Sequence, residues 1–242
     1  MTAVSLWGVG LDVVDTKGAR RPVLEQISFT VARGETVALM GPSGSGKSSI
    51  LGCVAGLQDC STGRVDVLGG DIQALDAAGR AWVRAHHIAL LLLQGDDLLP
   101  ALTVRENVEL LHRIRGERPP ADVIDDALRR VGLADRSDEL PEGLSGGEKR
   151  RVALARVAVQ QPHVTLLDEP TDGLDPRSVD AVVEMIRIRA RAGAAVLVVT
   201  HDPRVASAAD RVVFVDRGRV RHDVTGPTPE GLETLFRSAG TA

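Results

Sequence analysis

The chain has 242 residues, of which 43% are hydrophobic but only 2% aromatic, with no tyrosine; this excludes a disordered chain and calls for an aliphatic core. A formal net charge of −4 gives no reason to expect a general polyanion binder. Two cysteines, Cys53 and Cys60, do not make the disulfide framework of a small secreted protein, and no apolar run approaches a membrane span. No basic stretch precedes an apolar one at the start, so a cytoplasmic protein without a signal peptide is expected.

In chain order, residues 23–31 alternate loosely between apolar and polar, and residues 64–68 form a second short strand pattern; both suit an antiparallel flank. The run TVALM, 36–40, is a buried strand leading into Gly41, and 47–56 reads as a helix. Residues 95–160 are mostly helical, with helices predicted over 103–115, 121–131 and 147–160; Gly116 and the pair Pro119 and Pro120 separate the first two. We read that stretch as a helical lobe inserted into one domain spanning 1–242. A second buried run, 164–167, ends at Asp168, helix 177–192 follows, and a third run, 195–200, ends at His201. Runs 211–216 and 219–224 form a hairpin about Arg217 and Gly218. Alternating strands and helices predict an α/β sheet with helices on both faces, and ligands in such sheets bind beyond the carboxyl ends of the strands.

The chemically active residues cluster at those ends. Gly41, Pro42, Ser43, Gly44, Ser45, Gly46, Lys47 and Ser48 match a phosphate loop, with Ser49 beside it. The glycines let backbone N–H groups converge on phosphate oxygens, and the helix that follows points its positive end at the same charge. Lys47 suits the β- and γ-phosphates and the Ser48 hydroxyl suits Mg²⁺. An ordinary glycine turn would not need a strand before it and a helix after it. Asp168 is placed for the Mg²⁺ shell and Glu169, one residue on, for the attacking water. An acidic pair at a strand end is weak evidence alone; about 120 residues downstream of a phosphate loop it becomes strong. Ser145, Gly146 and Gly147 open a helix and make a second anion-binding tip. One nucleotide seldom needs both tips from one chain, and a head-to-tail dimer resolves this. The basic run Lys149, Arg150 and Arg151 is read as a solvated face of that helix.

With these motifs in order, the sequence resembles the ABC ATPase family over nearly its whole length: the phosphate loop, LSGGE at 144–148, VTLLDEP at 164–170 and VTHD at 199–202. Gln94 resembles the family's Q-loop glutamine, 98–108 (LLPALTVRENV) its following stretch, 171–175 its D-loop ending at Asp175, and His201 its switch histidine. The resemblance implies a phosphate-loop NTPase with a RecA-like sheet core, ATP and Mg²⁺ as cofactors, and catalysis by Glu169, His201, Lys47 and Gln94. It implies Mg²⁺ contacts from Ser48, Gln94 and Asp168, a γ-phosphate contact from His201, and one in trans from Ser145 and Gly147. It also implies a homodimer or paired cassette on transmembrane permease subunits at the inner face of the cell membrane, with no nucleic acid expected.

Four positions depart from the family pattern. No aromatic stands at residues 10–16, where Val13 or Val14 takes the adenine-stacking place, so ATP over GTP stays open. Leu93, Asp97 and Glu148 replace commoner Phe, Asn and Gln. A single cassette ending in a short tail, with Glu148, is similar to the lipoprotein-releasing and macrolide-exporter subgroup. The alternative is an ABC ATPase acting on a non-transport partner, either nucleic acid or a membrane-associated regulatory complex.

Overall fold

The computed structural model describes residues 1–14, 18–92, 98–228 and 230–232. Strands β1 (Thr2–Val14), β2 (Arg20–Ala32) and β3 (Thr36–Met40) lead into helix α1 (Lys47–Val54), β4 (Thr62–Val67), β5 (Gly70–Asp71), α2 (Ala77–His87) and β6 (Ile88–Leu91). Three helices follow: α3 (Val104–Ile114), α4 (Ala121–Arg130) and α5 (Gly146–Val159). The chain then runs through β7 (Val164–Asp168), α6 (Pro176–Arg191), β8 (Ala195–Val199), α7 (Pro203–Ser207), β9 (Arg211–Asp216) and β10 (Arg219–Thr225).

The strands form two sheets. One is antiparallel, in the order β2-β1-β4-β5. The other has the order β10-β9-β3-β8-β7-β6, with β9, β3, β8, β7 and β6 parallel and β10 returning antiparallel along the edge. Side chains alternate across a strand with a period of two, and this sheet is buried on both faces, so its central strands read as unbroken apolar runs. Val37, Leu39, Leu166, Leu197 and Val199 face one core; Ala38, Met40, Leu167, Val196 and Val198 face the other.

The second of these cores packs under α3, α4, α5, α6 and α7. The first is shared by α1 and the antiparallel sheet, whose Val4, Leu6, Ile27 and Val65 line it. The antiparallel flank expected from the sequence closes that side together with α1. Its inward row of branched residues supplies a continuous apolar layer, and α1 lies within it, touching β2 and β4 as well as β7 and β8.

Five elements escaped the sequence pattern: β1, β5, α2, β6 and α7. Helix α2 has no buried residue, so it shows no core-facing repeat. Strand β1 shifts register between Leu6 and Val9 and again beyond, which breaks the simple alternation of its sequence.

The segment leading into α3 is tied to that helix by a buried amide. Asn107, 0% exposed, accepts from the Leu99 N–H at 2.8 Å and donates to the carbonyls of Leu99, Leu102 and Thr103 at 2.9–3.1 Å. Thr103 and Glu106 close a reciprocal capping box at the start of α3. Replacing Asn107 with Ala removes the shared partner of these carbonyls and of the Leu99 N–H and is expected to cost about 1–3 kcal/mol, read from the urea midpoint. A midpoint equal to the parent's would show that the amide does not hold this segment.

Candidate active site

The register of the parallel sheet sets the site. Leu39 is level with Val199, and Val199 with Asp168, so β3, β8 and β7 end along one edge. Beyond β3 the chain must turn sharply, and the glycines there have φ values of 143° at Gly41, 76° at Gly44 and 101° at Gly46. A Cβ at Gly41 would meet the Val215 carbonyl oxygen at 1.9 Å, and one at Gly46 would meet Leu24 Cδ2 at 2.6 Å. The β9–β10 turn braces the loop from outside: Gly218 N–H donates to the Ser45 carbonyl at 3.0 Å. Gly46 occupies the cap position of α1, and no side chain among the described residues caps that helix. Its first N–H groups and its dipole therefore point outward from the loop.

Lys47 Nζ donates to the Gly41 and Pro42 carbonyls at 2.9 and 2.8 Å and to Ser45 Oγ at 3.4 Å. Burial lowers its pKa from the ordinary lysine value, while the Glu169 and Asp168 carboxylates pull it back up. Ser48 is exposed and Ser49 half-buried.

Asp168, the last residue of β7, is 3% exposed, and its Oδ1 has no hydrogen-bond partner among the described residues. A buried carboxylate oxygen left unpaired is costly unless it serves a cation. Glu169 follows in a left-handed conformation, φ 45°, rare for a residue with a side chain. Its Oε2 accepts from the His201 backbone N–H at 3.2 Å and lies 2.9 Å from His201 Nδ1. A carboxylate accepts only, so Nδ1 carries the proton in that contact. Nε2 is left for a further partner on a side chain 70% exposed.

The structure thus brings Gly41 to Ser48, Asp168, Glu169 and His201 to one edge. The helix tip at Ser145 is built locally. Ser145 Oγ accepts from Glu148 N–H at 3.3 Å and donates to Glu148 Oε2 at 2.7 Å, and that carboxylate also accepts Ser145 N–H at 2.8 Å. These bonds, with Arg136 at 3.0 Å, hold the Glu148 carboxyl below the usual range. Gly147 faces the Gly173 carbonyl, and Gly146 is exposed. Asp175 caps α6, accepting from the N–H groups of Arg177 and Ser178 and from Ser178 Oγ. A groove of about 540 Å³ lined by residues 171–174 and His201 adjoins this edge, while a larger one of about 940 Å³ between α4, α5 and α6 touches only Asp175 of the predicted residues.

Gln94 lies outside the described residues, as do Leu93 and Asp97. Val13 and Val14 are 43% and 65% exposed at the end of β1. The solvated face expected of the basic run is corrected at Arg150, which turns inward onto backbone carbonyls. The spacing did not single it out: Lys149 and Arg151 also stand three and four residues before buried positions, Val152 and Ala153 or Leu154 and Ala155.

A glycine cradle at a helix start, facing a buried carboxylate at the end of a strand two places away, defines a phosphate-loop nucleotide-binding α/β protein. The family model described as ABC transporter matches residues 24–172. The chain is 39% identical over 207 residues to the uncharacterized ABC transporter ATP-binding protein YbbA of Escherichia coli (strain K12), covering 83% of this chain and 89% of that protein. It is 42% identical over 206 residues to the lipoprotein-releasing system ATP-binding protein LolD of Anaeromyxobacter dehalogenans (strain 2CP-C), covering 84% and 86%. A solved structure of the ATP-binding cassette MJ0796, a dimer in a post-hydrolysis state bound to ADP and Pi, superposes with a TM-score of 0.86 at 28% identity over 93% of this chain and 99% of that one. The chain belongs to the ABC transporter family and is an ATP-binding cassette with ATPase activity.

The glycine geometry gives a graded test. Gly41→Ala forces a Cβ onto a backbone oxygen and is expected to lower Tm by roughly 5–10 °C and abolish stabilisation by ATP. Gly44→Ala meets nothing within 4 Å and is expected to cost only the left-handed strain, about 1 kcal/mol. Equal effects of the two in a thermal-shift assay would contradict the packing around Gly41.

Proposed function

We propose that this cassette powers transport through separate transmembrane subunits, by closing head-to-tail with a second cassette over two ATP molecules. The observation that carries the reading is the meeting, at one sheet edge, of the phosphate loop with Asp168, Glu169 and His201. Residues 41–49 bind the triphosphate through backbone N–H groups and the Lys47 ammonium. Glu169 accepts a proton from the attacking water, and His201, oriented through Nδ1, offers Nε2 to the γ-phosphate. Ser145, Gly146 and Gly147 reach the γ-phosphate of the opposite protomer, and Asp175 lies at that same interface. Gln94 relays closure to the membrane subunits.

The residues present fit Mg²⁺, since Asp168 offers a buried, unpaired oxygen, the donor type this hard cation prefers. Asp168, Ser48 and Gln94 would hold it, and the ion would neutralise charge on the phosphate oxygens. The whole chain forms one domain, with the helices of 95–160 as its lobe. No helix among the described residues is long and apolar enough to cross a membrane, which suits a peripheral subunit at the inner face. Similarity to the LolD protein and the LSGGE signature support a place near the lipoprotein-releasing and macrolide-exporter subgroup.

Glu169→Gln tests the reading. The variant is expected to bind ATP, to lose at least about 100-fold in kcat, and to elute as a dimer on size exclusion only when ATP is present. Parent-like turnover would remove Glu169 from its role, and a monomer under saturating ATP would remove the closed pair.

A further inference from the structure

Glu169 can act on water only if its Cα–Cβ bond leaves the backbone toward the site. That direction is set by the two torsions at its Cα, and therefore by the peptide planes on either side; the side-chain torsions beyond it are held by the contacts of Oε2 with His201. The local conformation does not hold itself: a side-chain-bearing residue at φ 45° sits in a sparsely populated region and persists only when its surroundings fix it.

Those surroundings converge on one side chain. Arg150 Nη2 donates to the Asp168 carbonyl at 2.6 Å and to the Glu169 carbonyl at 2.6 Å. The first belongs to the peptide entering Glu169 and the second to the peptide leaving it. Nη1 of the same guanidinium donates to the Leu92 carbonyl at 3.0 Å, at the end of neighbouring β6. The Glu169 N–H is held separately, by the Val199 carbonyl at 2.9 Å. The residue after Glu169 is Pro170, which has no N–H to add to the network. A planar guanidinium can serve three carbonyls from one fixed fork, whereas an ammonium ion is a single point. Arg150 also lies in the second turn of α5, the helix that opens at Ser145.

We propose that Arg150 is a positioning residue for hydrolysis: it clamps both peptides flanking Glu169, fixes the direction in which that side chain leaves the backbone, and makes the Ser145 helix part of the same rigid unit. This rests on the reading of Glu169 as the group that acts on water.

The test uses the full chain and four variants: Arg150→Ala, Arg150→Lys, Glu169→Gln and the double variant Arg150→Ala with Glu169→Gln. Arg150→Ala is expected to lower kcat roughly 10- to 100-fold, the scale for a misplaced catalytic group, while KM and the Kd for a fluorescent ATP analogue change less than about threefold. Arg150→Lys should fall between parent and Ala, and millimolar guanidinium should restore part of the Ala variant's turnover. The double variant should turn over no more slowly than Glu169→Gln alone, because Arg150 acts through Glu169. Parent-like kcat in Arg150→Ala, parallel loss of kcat and ATP binding in both Arg150 variants, or a multiplied loss in the double variant would each overturn the proposal. Parent-like turnover in Glu169→Gln would instead overturn the role of Glu169, whatever Arg150 does.

Discussion

The structure depends on the parallel register of β3, β8 and β7. Each of these strands is buried on both faces, and successive residues belong to different cores. A slip of one residue would exchange the two sets completely, so the register is strongly specified. That fixed register is what brings Gly41, Asp168 and the residues after Val199 to one edge. The chemistry is an edge property of a sheet whose interior is mostly aliphatic, with Phe214, Thr36 and Thr165 the exceptions on β9, β3 and β7.

At that edge the chain accepts local conformations that stability alone would not select. Gly41 and Gly46 take turns that no larger residue could occupy, because the β9–β10 hairpin and β2 pack directly against them. Asp168 is buried with an unpaired oxygen, and Glu169 is held in a left-handed backbone. Each is a local cost at a functional place, compensated by the packing of two cores around it. Lys47 is part of the same balance: burial disfavours its charge, and the two carboxylates favour it.

Much of this was legible in the sequence because its signals are local. The run 36–40 is the whole of β3, and the glycines after it announce a turn that only glycine can make. Asp168 and His201 stood out as polar residues ending apolar runs. Elements without a clear core-facing repeat were not legible: α2 has no fully buried residue and rests only Val83 on the core, and β1 is broken by register shifts. The Asp168, Glu169 and His201 cluster could be guessed from motif order, but not the bond from His201 Nδ1 to Glu169, which joins residues from two strand ends. Arg150 was hidden for a different reason. Three basic residues in a row read as solvated surface, and because every residue from Val152 to Ala155 is buried, helical spacing does not mark which of the three turns inward.

The central claim is that the phosphate loop and Asp168 form one site, joined by the metal-bound phosphates of a single nucleotide. Pulsed electron paramagnetic resonance with Mn²⁺ and a non-hydrolysable ATP analogue measures this directly. The account predicts bound Mn²⁺ with phosphorus couplings from the nucleotide, and in Asp168→Asn at least about tenfold weaker Mn²⁺ binding with the analogue still held. Unchanged Mn²⁺ affinity and couplings in that variant would contradict it.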